Sequence, residues 1–228
     1  MRQFTDKPIY AIGNYVYSFF TVNLLFILFN PLFFFLYLFV PLETSHSLVV
    51  FVSMITMGPA FGAVFYAMGK LMREKEISPV ADFWRGYRMN FSLSIKYWLA
   101  QLVVLFILFT NTYYIWGTGQ FSVFFLFFIV LMVAMLSINL YAFPILSRFE
   151  MTPKNLWIYA TLYVFKYWRL TLFNLTTLVA FYLIYFQFPV LGSLFLISLT
   201  AYFILYNGRK VWEQMEEDKQ QEAVAPRK

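Results

Sequence analysis

The residues of this chain that could do chemistry are few, and most are amides and hydroxyls embedded in apolar sequence. Asn23 and Asn30 lie seven apart, a spacing that puts both on one face of a helix. Gln101, Ser137, Asn139, Asn174, Thr176, Thr177, Ser198 and Thr200 sit in equally apolar surroundings. Such groups either hydrogen-bond one helix to another or line a polar path for a small neutral, sugar-like solute. Zero cysteines exclude disulfides, thiolate metal sites and a cysteine nucleophile. A single histidine, His46, excludes a multi-histidine metal cluster. The sequence has no glycine-rich phosphate loop, no HExxH and no GxSxG elbow. These patterns imply no catalytic residues, no metal and no cofactor.

Two further constellations carry weight. Gly58-Pro59-Ala60-Phe61-Gly62 combines a helix-kinking proline with glycines one turn apart, which allow another helix to approach closely. That helix belongs either to the same chain or to another membrane subunit, in which case Gly58, Pro59, Gly62 and the similar break at Pro144 are the packing residues. Asp82 and Arg85 are the other constellation. A cytoplasmic catalytic pair is one reading of them, and a surface charge pair of little energetic worth is the simpler one.

All of these must be positioned by elements suited to a bilayer. Of the 228 residues, 61% are hydrophobic and only 12% charged, against about 25% charged in soluble domains. Six apolar stretches, at residues 15–40, 48–68, 97–114, 121–147, 170–186 and 190–207, each reach the length needed to cross about 30 Å of hydrocarbon. The expected fold is therefore all-α: a single transmembrane bundle over residues 1–208, with residues 209–228 as a polar tail. The last two stretches are short enough that a re-entrant hairpin through Phe188-Pro189 is the alternative. The first apolar run is too long for a cleaved signal peptide and is expected to stay as a span. No Asp, Glu, Lys, Arg or His falls inside the six stretches, which argues against proton or ion coupling at membrane depth.

Charge fixes the expected orientation. All 17 Lys and Arg fall in the N-terminal segment, the second-to-third connection, the fourth-to-fifth connection and the tail. By the positive-inside rule that side is cytoplasmic, with both termini inside. Glu43 is the one acid expected outside, in a solvated turn with His46. The net charge of +6 then reflects loops facing anionic lipid rather than nucleic acid.

The two long basic connections resemble each other. Each starts a helix at Ser or Thr followed by Pro, at Ser78-Pro79 and Thr152-Pro153. Each then mixes aromatics with cations, with Trp84, Arg85 and Arg88 in one and Lys166 and Arg169 in the other. That composition suits helices lying in the headgroup region. Together with Pro59 and Pro144 upstream, it suggests a repeated unit of span, interfacial helix and span. Tyr113, Tyr114 and Trp116 beside Gly117 and Gly119 read as an aromatic belt anchor, with stacking on a sugar or partner as the alternative.

In order along the chain, Asn23-Leu24-Leu25 to Pro31, Gly58-Pro59-Ala60 through Phe65-Tyr66 to Asp82-Phe83 and Asn90-Phe91, and Tyr141-Ala142-Phe143-Pro144-Ile145-Leu146 with Arg148-Phe149-Glu150 resemble the YesL family of bacterial integral membrane proteins, a domain of unknown function. The resemblance implies a Gram-positive-type cytoplasmic (plasma) membrane and an association with carbohydrate ABC importers and polysaccharide use. It supplies no catalytic residues. The chain shows no EAA-type coupling loop, so the implied role is an accessory subunit or partner of the importer rather than its permease. The alternative is a stand-alone channel or facilitator for a small neutral solute, drawing on Asn23, Asn30, Asn139 and Asn174.

Overall fold

The computed structural model describes residues 8–39, 47–119 and 123–224, and these form helices with no strand among them. In chain order they are α1 (Pro8–Leu28), α2 (Pro31–Phe39), α3 (Ser47–Ser53), α4 (Met57–Glu74), α5 (Pro79–Gly117), α6 (Val123–Leu146), α7 (Pro153–Lys166), α8 (Trp168–Gln187), α9 (Pro189–Asn207) and α10 (Arg209–Val224). Five helical segments are long and apolar enough to cross a membrane, or six if α1 and α2 form one broken span. The ends of the first and fourth expected spans, at Val40 and Phe121, lie outside the described residues, as do Glu43 and His46.

Helix α4 is the centre of the bundle. Half of the apolar stretch in Ser47–Glu74 is buried, against 11% in α8, and α4 packs on α1, α5, α6 and α9. Its start shows why. Pro59 has no N–H to give to a carbonyl one turn back, and the chain ahead of it tightens into a 3-10 turn over Met54–Thr56. The Met54 carbonyl accepts a hydrogen bond from Trp98 Nε1 on α5 at 2.7 Å. Pro59 itself falls in the first turn of α4, where a missing N–H costs little.

Glycine lets α5 come this close. A Cβ on Gly58 would collide with Trp98 Cβ, and one on Gly62 would stand 2.7 Å from Ser94 Oγ. Further along, Gly86 of α5 receives Tyr66 of α4, where a Cβ would meet Tyr66 Cβ at 2.7 Å. The small-residue face of α4 is thus taken up by α5 of the same chain. The C-terminal end of α6 closes on the same place, with Leu146 beside Gly62. There the Phe143 ring contacts Phe61, Phe65, Tyr97 and Trp98 at centroid distances of 5.3–5.9 Å.

Three elements differ from the sequence expectation. The first apolar stretch is not one straight span, because α1 and α2 meet at 82° across Phe29-Asn30. The third does not begin after a separate interfacial helix. Residues 79–117 form one helix of 39 residues, about 58 Å long at 1.5 Å per residue. The matching element of the second connection, α7, does stand apart from α8, with Tyr167 breaking the helix between them. The tail is more than a polar extension. Helix α10 buries Val211, Trp212 and Met215 in the core, and the Trp212 ring meets Tyr141 of α6 at 6.0 Å. Residues 225–228 of the tail lie outside the described residues.

Overpacking the α4–α5 contact should loosen the whole bundle. In mild detergent, Gly58→Leu is expected to lose about 1–3 kcal/mol of stability, read as a lower unfolding midpoint. Gly13→Ala, where an added Cβ meets nothing within 4 Å among the described residues, should leave the midpoint unchanged. Equal midpoints for the two variants would contradict this account of the helix pair.

Candidate functional site

The amides within the apolar stretches all have partners inside the chain. Asn23 of α1 donates from Nδ2 to the Ser193 carbonyl at 2.6 Å and accepts from the Ile197 N–H at 3.0 Å. Those two groups are the acceptor and donor of one i to i+4 pair in α9, so a single carboxamide grips both halves of a helical turn. One turn away, Ser198 donates to the Phe19 carbonyl at 2.8 Å. Helix α1 is thereby held to α9 in a fixed register.

Asn30 has a different task. Its own N–H bonds the Ile27 carbonyl at 3.0 Å, and its side-chain amide donates to the Phe26 carbonyl at 2.7 Å. The Asn30 Oδ1 accepts from Thr56 Oγ1 at 2.9 Å. Asn30 therefore caps the broken end of α1 while Pro31, without an N–H, opens α2 at its first position. Asn139 accepts from Tyr97 O–H at 2.8 Å, joining α6 to α5, and Gln101 donates to the Met135 carbonyl at 2.6 Å beside it. Asn174 accepts from Asn207 at 2.9 Å, joining α8 to α9.

Two cavities lie between these helices, of about 340 and 230 Å³. The larger is walled mainly by Phe61, Phe65, Leu136, Leu140 and Phe143, with Asn139 and Thr200 as its polar residues. The smaller runs between α1, α2, α8 and α9, and the two adjoin at Phe61, Leu196 and Ile197. Neither is a polar channel.

A second cluster gathers at one end of the bundle, where the charged residues meet. Asp82, 3% exposed, accepts from Lys70 Nζ at 2.8 Å and from the Ser78 N–H at 3.0 Å. It caps the start of α5 and ties it to the end of α4. The expected pairing of Asp82 with Arg85 is corrected here: Arg85 points to the surface, and the acid turns back to Lys70 and to its own helix start. Ser78 has the extended backbone of an N-cap but makes no side-chain cap bond; its own N–H is the group that Asp82 accepts from. At the second Ser/Thr-Pro start, Thr152 Oγ1 accepts from the Asn155 N–H.

Arg148, just past α6, has a buried side chain and donates from Nη1 to Glu216 of α10 at 3.1 Å. Its Nε and Nη2 have no hydrogen-bond partner among the described residues. Burial, reinforced by the charge of Arg73, draws its pKa below the ordinary guanidinium value, and Glu216 and Glu213 oppose that shift. Around this end the exposed cations lie over aromatic rings. Arg88 sits 6.0 Å from the Trp84 ring, Lys166 5.3 Å from Tyr167, and Arg169 5.5 Å from Trp168. An apolar body with a charged tip suits a headgroup boundary.

Sequence reasoning missed the α10 contact. Its signal was Val211, Trp212 and Met215 on one side of an otherwise charged helix, with Gly208 ahead of them. A Cβ at Gly208 would stand 2.7 Å from the Trp212 indole.

Fold and site together define a polytopic helical membrane protein whose polar side chains act chiefly between its own helices. Residues 19–112 match the family described as "Protein of unknown function, DUF624", consistent with the YesL-like resemblance. The matched segment holds the α1–α2 break, the glycine-proline turn of α4 and the Asp82 cap. No curated protein and no solved structure matches the chain.

Two substitutions test these assignments. Asn23→Ala should cost about 1–2 kcal/mol, in the upper range for a hydrogen bond between membrane helices, measured as faster unfolding in detergent. An unchanged rate would remove Asn23 as the α1–α9 lock. Asp82→Asn removes the charge that Lys70 meets at 2.8 Å and leaves it the longer contact with Glu74 at 3.6 Å, and should cost about 1.5–3 kcal/mol, the scale of a hydrogen bond to a charged group. Arg85→Ala should stay within about 0.5 kcal/mol of the parent, as exposed substitutions do. Reversal of that order would restore Arg85 as the partner.

Proposed function

We propose that this chain is a non-enzymatic accessory protein of the bacterial cytoplasmic membrane that works by association with another membrane complex. On the family resemblance, that complex is a carbohydrate ABC importer. The observation that carries the reading is the engagement of Asn23, Asn30, Asn139 and Asn174 by partners in the same chain. A facilitator for a sugar-like solute needs such groups free to meet the solute. A protein that works by packing needs them where they are, holding its helices in place.

The docking surface follows from what the bundle leaves uncovered. The Gly58 and Gly62 face is filled by α5, and Pro144 is buried near the end of α6. The outer faces of α6 and α8 remain, with only 17% and 11% of their apolar stretches buried. At the charged end, Arg85, Arg88, Lys166 and Arg169 face the cytoplasm by the charge count, with both termini on that side.

Pull-down of the tagged chain from native membranes in mild detergent, followed by mass spectrometry, tests the proposal. A permease subunit of a carbohydrate importer is expected in stoichiometric amounts. Repeated recovery of the chain without any permease subunit would sink it.

A further inference from the structure

We infer that the two adjoining cavities hold one hydrocarbon chain of a bilayer phospholipid, with its polar end at the paired hydroxyls of Tyr37 and Tyr185. The inference stands independently of the partner proposed above. It begins with what surrounds the cavities. They are bounded by segments of α1, α4, α6, α8 and α9 that are apolar enough to lie in a membrane, so the medium beside them is lipid. A void lined by Phe and Leu forfeits dispersion contacts on its empty side. Water gains little there, because a buried water needs two to four polar partners. Of the two polar residues on the larger cavity's wall, Asn139 is already held by Tyr97. A methylene chain restores the missing contacts.

The smaller cavity supplies the polar end. Tyr37 of α2 and Tyr185 of α8 both line it, with their hydroxyls 3.3 Å apart. Two hydroxyls sharing one hydrogen bond use only one of their two O–H donors on each other. The other is left to donate to an acceptor such as a lipid ester carbonyl or phosphate oxygen. From that point the cavities continue past Phe61, Leu196 and Ile197, the residues common to both walls. Apolar walls with a free donor at the Tyr37–Tyr185 pair fit an amphiphile better than a sugar, which would leave most of its hydroxyls unpaired.

Trp98 provides the readout. It lines the larger cavity yet is only 5% exposed, so surrounding lipid reaches it only by entering. Full-length protein is reconstituted into phosphatidylcholine vesicles with or without bromine at mid-chain, and the Trp98 signal is taken as the difference between parent and Trp98→Phe. Brominated chains are expected to remove most of that signal. Leu196→Phe, which narrows the shared wall, is expected to restore it. An identical Trp98 signal in the two lipids overturns the inference, and so does quenching that Leu196→Phe leaves intact.

A phospholipid carrying a mid-chain diazirine decides the matter even if Trp98→Phe does not fold. Labelled peptides covering residues 61–65 and 196–201 support the inference. Labelling confined to outward residues such as Val190, Leu191 and Phe203 overturns it. Loss of that internal labelling in the Tyr37→Phe, Tyr185→Phe double variant supports the assigned polar end, and undiminished labelling overturns that assignment.

Discussion

Because Gly58 has no Cβ, α5 can set Trp98 directly against the α4 backbone, and much of the bundle depends on that contact. The indole is near enough to satisfy the Met54 carbonyl in the 3-10 turn ahead of Pro59. The same ring joins the cluster around Phe143, which brings in the end of α6. Move α5 outward by one side chain and two things fail together: the Met54 bond and the Trp98 and Tyr97 side of the Phe143 cluster. Close approach in a membrane also has no hydrophobic drive behind it, since lipid is as apolar as the helices. Packing of small against large side chains must supply the attraction, and Gly58, Gly62 and Gly86 are where it does so.

The amides act on this frame as couplers between helices. Each joins a pair: α1 to α9 through Asn23, α5 to α6 through Asn139, α8 to α9 through Asn174. Asn30 joins the end of α1 to Thr56, next to the α4 start. Hydrocarbon supplies no alternative partner for these groups, which is why they sit at helix crossings rather than on lipid-facing surfaces. The charged end obeys the same logic in wetter surroundings. There Asp82 serves as helix cap and ion-pair partner at once, and Arg148 reaches Glu216 of α10.

Apolar stretches and charge-bearing connections were legible in the sequence because both depend on composition over many residues. What stayed hidden depends on single distant contacts. Asn30-Pro31 reads in the sequence as no more than a kink, yet the chain turns by 82° there, with Thr56, 26 residues further on, bonded to the Asn30 side chain. Asp82 has Arg85 as its nearest cation in the following turn, yet its partner is Lys70, twelve residues earlier and brought close by the turn between α4 and α5. The glycine spacing announced a close helix approach without saying which helix. The amides announced hydrogen bonds without saying to whom. In the tail, net polarity masked the short stripe of Val211, Trp212 and Met215.

The Asn23 lock also constrains the order in which the protein can be assembled. Its partners, Ser193 and Ile197, follow it by 170 and 174 residues. At about 5–20 residues per second of synthesis, α1 waits roughly ten to thirty seconds beside a growing chain before its final neighbour exists. During that time its carboxamide must stay near water, the insertion machinery or a temporary helix partner. Bundle closure is therefore a late event, set by the arrival of α9 rather than by the insertion of the first span.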